Sequence, residues 1–149
     1  FYIPIPSSPP CLTVIEDFGH HPTALDLTLE SLRARYPKHR LVACFEPRSN
    51  TAARKVMQDG FREALKQADE VFLAPPHRAD KLGEERFDSA GVAAAITAAG
   101  KKGFAPASND ALLTELTALV KSDKSPRCVI FFSNGAFGGI IKKFAQAVA

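Results

Sequence analysis

Residues 129–139 read VIFFSNGAFGG, an unbroken apolar run that is followed at once by a polar loop with three glycines. The apolar residues 129–132 do not alternate with polar ones, which is typical of a strand covered on both faces in a parallel sheet. Four further runs of this kind precede it and predict strands at 12–15, 41–45, 71–74 and, weakly, near Phe104.

Helical patterns separate these runs. Apolar residues spaced three and four apart predict amphipathic helices that bury one stripe against the sheet. Pro22 suits the first turn of the first helix, and Ser108, Asn109 and Asp110 offer caps for the fourth. Five strand–helix alternations predict an α/β domain with a Rossmann-like, open, doubly wound and mostly parallel sheet flanked by helices. The predicted core stripes are Leu25, Leu29, Leu32 and Tyr36; Met57, Phe61, Ala64 and Ala68; Val92, Ile96 and Ala99; Leu112, Leu116 and Leu119; and Phe137, Ile141, Phe144 and Val148.

Composition is that of an ordinary globular domain, with 46% hydrophobic and 23% charged residues in a chain of 149. The net charge is only +3, and no aromatic platform or basic stripe accompanies it, so we expect no nucleic-acid partner. Cys44 and Cys128 lie in apolar runs and indicate buried thiols in a reducing compartment. No apolar stretch approaches the ~20 residues of a membrane helix, so we expect a cytoplasmic protein without a membrane partner.

Residues 1–10 differ from the rest, because they contain four prolines and two serines. Such a segment forms neither a helix nor a central strand. We interpret it as a linker, a cloning remnant or the ragged end of an excised domain, and we place the domain itself at 11–149.

Polar residues crowd where the predicted strands end, and ligands of such sheets bind beyond those carboxyl ends. Asp17 leaves the first strand and could accept hydrogen bonds from a ribose diol, while His20 and His21 at a helix start could bind nucleotide groups. An equally weighted alternative is that Asp17 caps the turn and the histidines are half-buried polar spacers. Adjacent histidines point in different directions, and no zinc-motif spacing is present, so we expect no metal site.

The ends of the second and fifth predicted strands carry EPRSNT (46–51) and SNGAFGG (133–139). Arg48 presents a planar fork that matches a carboxylate or phosphate, with Ser49 and Asn50 as neutral partners, although a structural turn is the alternative. The glycines of the later loop permit close backbone approach and offer amides to an anion. No phosphate-binding Gly-Lys-Ser/Thr string is present, which argues against a self-contained ATPase and indicates one part of a larger nucleotide-using enzyme.

The strings DFGHHPT (17–23), EPRSNT and SNGAFGGI (133–140) resemble the C-terminal domain of Mur ligases, the ATP-dependent amide ligases of peptidoglycan synthesis. The first string is shared with the L-alanine-adding ligases. The other two are similar to ligases that join UDP-N-acetylmuramate to the tripeptide L-alanyl-γ-D-glutamyl-meso-diaminopimelate in peptidoglycan recycling. The resemblance covers residues 12–148.

The resemblance implies roles for individual residues. Asp17 would take the ATP ribose hydroxyls, with His20 and His21 on the nucleotide side of the cleft. The muramate carboxylate would be phosphorylated by ATP with Mg²⁺ and then attacked by the peptide amine. The partners of this domain would be the N-terminal and central domains of the same polypeptide, and the central domain would hold the phosphate loop and the metal. No catalytic residue is expected in this domain alone. The residues expected to hold the amino substrate are Arg48, Ser49, Asn50, Ser133, Asn134 and Gly135.

Three other functions compete with this one. The chain could be the equivalent domain of a UDP-N-acetylmuramate–L-alanine ligase. It could be a stand-alone module that binds a nucleotide or peptide without chemistry. It could also be a small transferase that uses His20 or His21 directly as nucleophile or base.

Overall fold

The computed structural model describes residues 2–4, 12–19, 21–47, 57–75, 87–133 and 137–148. The apolar runs form strands and the amphipathic stretches form helices, as their periodicity predicts. The strands are β1 (Tyr2–Pro4), β2 (Leu12–Asp17), β3 (Arg40–Phe45), β4 (Glu70–Leu73), β5 (Lys102–Phe104) and β6 (Arg127–Phe132). The described helices are α1 (Pro22–Arg35), α2 (Gln58–Leu65), α3 (Ser89–Ala98), α4 (Asn109–Lys121) and α5 (Ile140–Val148), with a 3-10 turn at Phe137–Gly139.

The strands form one sheet in the order β1-β2-β6-β3-β4-β5. All neighbours from β2 to β5 pair in parallel, which confirms the predicted mostly parallel sheet. β1 pairs antiparallel with β2 at the edge. For residues 2–4 the structure therefore replaces the predicted linker with an edge strand, whereas the domain boundary stays a prediction. The edge suits this strand, because Pro4 has no N–H to donate to a second neighbour.

Helices cover both faces of the sheet. α1, α2 and α3 pack on one face, and α4, α5 and the 3-10 turn pack on the other. Side chains of one strand alternate between these two cores, so that Phe45 faces the first core and Cys44 the second. β3, β4 and β6 are buried along nearly their whole length, which confirms the prediction of a doubly wound sheet. No helix in the described part of the chain is long and apolar enough to cross a membrane.

Local capping sets where the helices begin. Pro22 lies in the first turn of α1, and Ser108 caps α4 by accepting a 3.1 Å hydrogen bond from the Ala111 amide, both as predicted. The predicted stripes face the cores, with the exception of Ala99. The prediction that Ala99 faces the core is wrong, because α3 ends at Ala98 and leaves Ala99 exposed. Ala93 is buried instead.

The two described cysteines are buried and unpaired. Burial raises the pKa of the Cys128 thiol to about 12 and that of Cys44 well above its usual range. Both thiols therefore stay protonated near neutral pH and act as small apolar side chains, which confirms the interpretation drawn from their apolar surroundings.

Gly103 of β5 lies directly under α3. A Cβ built at this position would come within 2.3 Å of the Ala93 carbonyl oxygen, which is backbone and cannot rotate away. We expect Gly103→Ala to force β5 from α3 and to lower the free energy of unfolding by about 1–3 kcal/mol. Urea unfolding of the 149-residue chain measures this. Lys102→Ala, at the exposed neighbouring position, should change it by less than about 0.5 kcal/mol, and equal effects would contradict the steric argument.

A buried charge network closes the amino-terminal edge of the sheet. The Arg127 side chain is 2% exposed; its Nε lies 3.3 Å from Glu70 Oε1, and its Nη1 lies 2.8 Å from Asp123 Oδ1. Glu70 is 1% exposed, and its Oε2 has no hydrogen-bond partner among the described residues. The network joins β4 and β6 to the end of α4 at the edge opposite the polar strand ends.

Candidate functional site

Three of the predicted polar segments, DFGHHPT, EPRSNT and SNGAFGG, begin at neighbouring strand ends. β6 lies between β2 and β3, and the strand ends are joined by hydrogen bonds from the Ser133 amide to Asp17 O (3.1 Å) and from the Glu46 amide to Phe132 O (3.0 Å). α1 follows β2 and α2 follows β3 on one face, whereas α5 follows β6 on the other. Adjacent strands whose connections leave to opposite faces open a crevice, which is where such sheets bind ligands.

Asp17 at the end of β2 is half-buried and holds its own turn together. Its Oδ1 accepts a 2.6 Å hydrogen bond from the Gly19 amide, and its Oδ2 accepts a 3.0 Å bond from the Thr28 hydroxyl. The turn-capping role is therefore present in the structure. An ionised carboxylate has about four acceptor positions, so two internal bonds leave capacity for ribose hydroxyls.

His21 is exposed and caps α1, since its Nδ1 accepts a 3.3 Å hydrogen bond from the Thr23 amide. The interpretation as a half-buried spacer is wrong for this residue. An imidazole that accepts at Nδ1 carries its proton on Nε2, and this N–H remains available as a donor next to the helix start. His21 can thus donate a hydrogen bond to an anionic or carbonyl oxygen.

Glu46 directly follows β3 and is buried, with 6% of its surface exposed. Its Oε1 accepts a 2.7 Å hydrogen bond from the hydroxyl of Ser133, which is itself buried. Its Oε2 accepts a 3.3 Å bond from Asn109 Nδ2 at the start of α4. One carboxylate therefore binds the ends of β3 and β6 to the beginning of a helix on the second face.

The turn after β6 has a strained backbone. Phe137 has a φ of +52°, and Gly138 follows at +63°. A left-handed phenylalanine costs roughly 1–2 kcal/mol, and burial of its ring edge-to-face on Phe131, with 5.6 Å between centroids, holds it in place. The positive φ at Gly138 favours glycine, and a Cβ there would lie 2.7 Å from Asn109 Nδ2 and force that side chain to shift.

Among the predicted site residues, Asp17, His21 and Ser133 are described and lie at neighbouring strand ends. Glu46 and Asn109 were missed as site residues; the charge that directly follows an apolar strand was the available signal for Glu46. The remaining predicted site residues lie outside the described part of the chain: His20, Arg48, Ser49, Asn50, Asn134 and Gly135.

The described residues contain no group of three or more His, Cys, Asp or Glu side chains that could hold a metal ion. A cleft of about 260 Å³ separates the start of α1 from α2, next to His21. Asp26 and Glu63 line it and make it unfavourable for a phosphate. A larger cleft at the opposite edge is lined by Arg33, His39, Arg40, Asp69, Glu70, Gly100, Lys101 and Lys102.

Comparison with known proteins identifies relatives along nearly the whole chain. The chain is 33% identical over 139 residues to UDP-N-acetylmuramate–L-alanyl-γ-D-glutamyl-meso-2,6-diaminoheptandioate ligase of Escherichia coli K12, a match that covers 93% of the chain and 28% of that protein. It is 30% identical over 135 residues to UDP-N-acetylmuramate–L-alanine ligase of Hydrogenovibrio crunogenus, covering 91% and 29%. The crystal structure of a murein peptide ligase from Psychrobacter arcticus 273-4 has a TM-score of 0.71 at 26% identity, covering 92% of the chain and 27% of that one.

The family assignment rests on a match that is both long and consistent with the fold. The chain spans 28% and 29% of the length of the two curated relatives. Residues 5–135 match the family described as Mur ligase, glutamate ligase domain. Sequence and fold therefore agree that this chain belongs to the Mur ligase family of ATP-dependent ligases, as its C-terminal domain.

Proposed function

We propose that the chain is the C-terminal domain of a cytoplasmic ligase that uses ATP and Mg²⁺ to join UDP-N-acetylmuramate to L-alanyl-γ-D-glutamyl-meso-diaminopimelate. It acts together with the N-terminal and central domains of the same polypeptide and is inactive alone. Its contribution is one wall of the nucleotide and peptide sites. The observation that carries this proposal is that Glu46 and Ser133, the first residues of the EPRSNT and SNGAFGG strings, follow the adjacent strands β3 and β6 and contact each other directly.

The chemistry of the tripeptide supports this substrate. It carries more than one free carboxylate, and a site that selects it needs a fixed, fork-shaped cation. Arg48 follows Glu46 by two residues and is our candidate, with Ser49 and Asn50 as neutral partners. Asn134 and Gly135 follow the buried Ser133 and would shape the peptide end.

The nucleotide half of the site rests on Asp17, His20 and His21. Asp17 would accept hydrogen bonds from the ribose hydroxyls on the lone pairs that its turn does not use. His21 would donate a hydrogen bond from Nε2 at the start of α1. ATP supplies the activating phosphoryl group, and Mg²⁺ would be held by the central domain. Residues of this domain would bind and orient substrates and keep the reacting groups in register.

Asp17→Ala tests the nucleotide half in the complete enzyme. We expect the KM for ATP to rise about 10- to 150-fold, because a hydrogen bond to a charged acceptor contributes roughly 1.5–3 kcal/mol, and tripeptide kinetics to stay nearly unchanged. Asp17→Asn is the matched control, since its amide oxygen still accepts from Gly19 and its amide nitrogen can donate to Thr28.

The two substitutions separate the roles of Asp17 when stability and steady-state kinetics are measured together. Asp17→Asn should preserve the melting temperature and still raise the KM for ATP, by a smaller factor than the alanine variant. Lost stability with an unchanged KM for ATP would leave Asp17 as a turn cap and refute the ribose contact.

A UDP-N-acetylmuramate–L-alanine ligase is the second candidate, because a relative of that name matches 91% of the chain at 30% identity. The two candidates differ in the amino substrate, which is a single small amino acid in one case and a tripeptide in the other. Steady-state assays of the complete enzyme with each amino substrate in turn distinguish them.

A further inference from the structure

Glu46 is an unusual residue for its place in the fold. It follows a strand whose last five residues are all buried, and only 6% of its own surface is exposed. A carboxylate buried here is unfavourable by several kcal/mol unless hydrogen bonds compensate it. Its described partners, Ser133 and Asn109, are neutral donors, one for each oxygen. Such an arrangement fixes geometry more than it adds stability.

The contacts of Glu46 join segments that are far apart in sequence. Ser133 is 87 residues away and Asn109 is 63 residues away. Asn109 in turn lies against Gly138, where a Cβ would come within 2.7 Å of its Nδ2. One carboxylate therefore links the end of β3 to the end of β6 and, through Asn109, to the left-handed turn at Phe137–Gly139.

We propose that Glu46 is a positioning residue that aligns the two halves of the amino-substrate site. This inference rests on the proposed function, in which Arg48 and the residues after Ser133 hold the peptide. Both segments begin within two residues of the Glu46–Ser133 contact. A shift of about 1 Å in groups that position a substrate can lower the rate by about 100-fold. Asp17 and the nucleotide half lie on β2 and are held by their own contacts with Gly19 and Thr28.

Kinetics of the complete enzyme test this role. Glu46→Ala should lower kcat/KM for the amino substrate about 10- to 100-fold and change the KM for ATP by less than about twofold. Glu46→Gln should restore part of the loss, because its amide oxygen still accepts from Ser133 and Asn109 can turn its own amide over to match. Glu70→Gln is the matched control: Glu70 is also buried, lies at the opposite edge, and should alter the melting temperature without altering amino-substrate kinetics.

Hydrogen exchange on the 149-residue chain gives a second readout that needs no substrate. Glu46→Ala should raise the exchange rates of the Ser133 amide, which donates to Asp17 O, and of the amide of residue 46, which donates to Phe132 O, and Glu70→Gln should change neither. The proposal is overturned if exchange at these two amides does not respond, or if Glu46→Ala impairs the kinetic constants for ATP and for the amino substrate alike. Failure of the wild-type enzyme to ligate either amino substrate would refute the proposed function, while the exchange result would still decide the role of Glu46.

Discussion

Arg48→Ala in the complete enzyme should lower kcat/KM for the tripeptide about 10- to 150-fold, because on the proposed function it would leave a desolvated substrate carboxylate without its charged partner. The constants for ATP and UDP-N-acetylmuramate should barely move. Steady-state kinetics in which each substrate is varied in turn measure the effect. The expected change is as large as the one that Asp17→Ala should produce in the KM for ATP.

Arg48→Lys is the control for geometry. A lysine keeps the charge but contacts a carboxylate as a point charge, so we expect only partial recovery of tripeptide kinetics. Equal losses for all three substrates would show that Arg48 supports the fold or the chemistry in general. Unchanged kinetics would place the peptide specificity elsewhere.

The largest loss of stability is expected from Arg127→Ala. Within the part of the chain that the structure describes, the substitution leaves Glu70, which is 1% exposed and already has one oxygen without a partner, as an isolated buried carboxylate. Removing one partner of a buried ion pair typically costs about 3–5 kcal/mol. Urea unfolding of the 149-residue chain at neutral pH measures this loss. Lys66→Ala, which removes the solvent-screened ion pair with Glu63, should lower the free energy of unfolding far less than Arg127→Ala.

A double variant and the pH dependence of unfolding check whether the unpaired buried charge causes this loss of stability. Replacing Arg127 and Glu70 together by methionine should recover most of the loss, since no unpaired charge then remains buried. The Arg127 guanidinium also holds the pKa of the Asp123 carboxyl below its usual range, chiefly through its hydrogen bond. The contribution of Asp123 to the free energy of unfolding is therefore present above the ordinary carboxyl pKa. It is lost as the pH falls through the lowered pKa of Asp123. A double variant as unstable as Arg127→Ala would contradict this explanation.

The fold was predictable to the extent that its signals are local. The apolar runs at 41–45 and 129–132 mark strands buried on both faces, and Pro22 and Ser108 mark helix starts. The sheet order was not predictable, because β6 is the last strand of the chain and inserts between β2 and β3 through pairings between distant residues. β1 was missed because three residues next to prolines carry no strand periodicity.

From the sequence, the candidate site could be predicted to lie at one edge of the sheet. The contacts between its side chains could not be predicted. Asp17, Glu46 and Ser133 each follow an apolar strand, and strand ends of a parallel sheet share one edge. Which side chains meet there depends on the strand order, so the link from Glu46 to Ser133 had no local signal. Asparagine is common at helix N-caps, but Ser108 occupies the N-cap of α4. The Asn109 side chain contacts Glu46 instead.

The identity of the amino substrate tests the proposed function most directly. The measurement is kcat/KM of the complete enzyme with UDP-N-acetylmuramate and ATP, using either L-alanyl-γ-D-glutamyl-meso-diaminopimelate or L-alanine as the amino substrate, with amide formation followed by product mass. We predict that the tripeptide is ligated and that L-alanine is a poor substrate. Efficient ligation of L-alanine with no tripeptide product would contradict the proposal and assign the domain to an L-alanine-adding ligase.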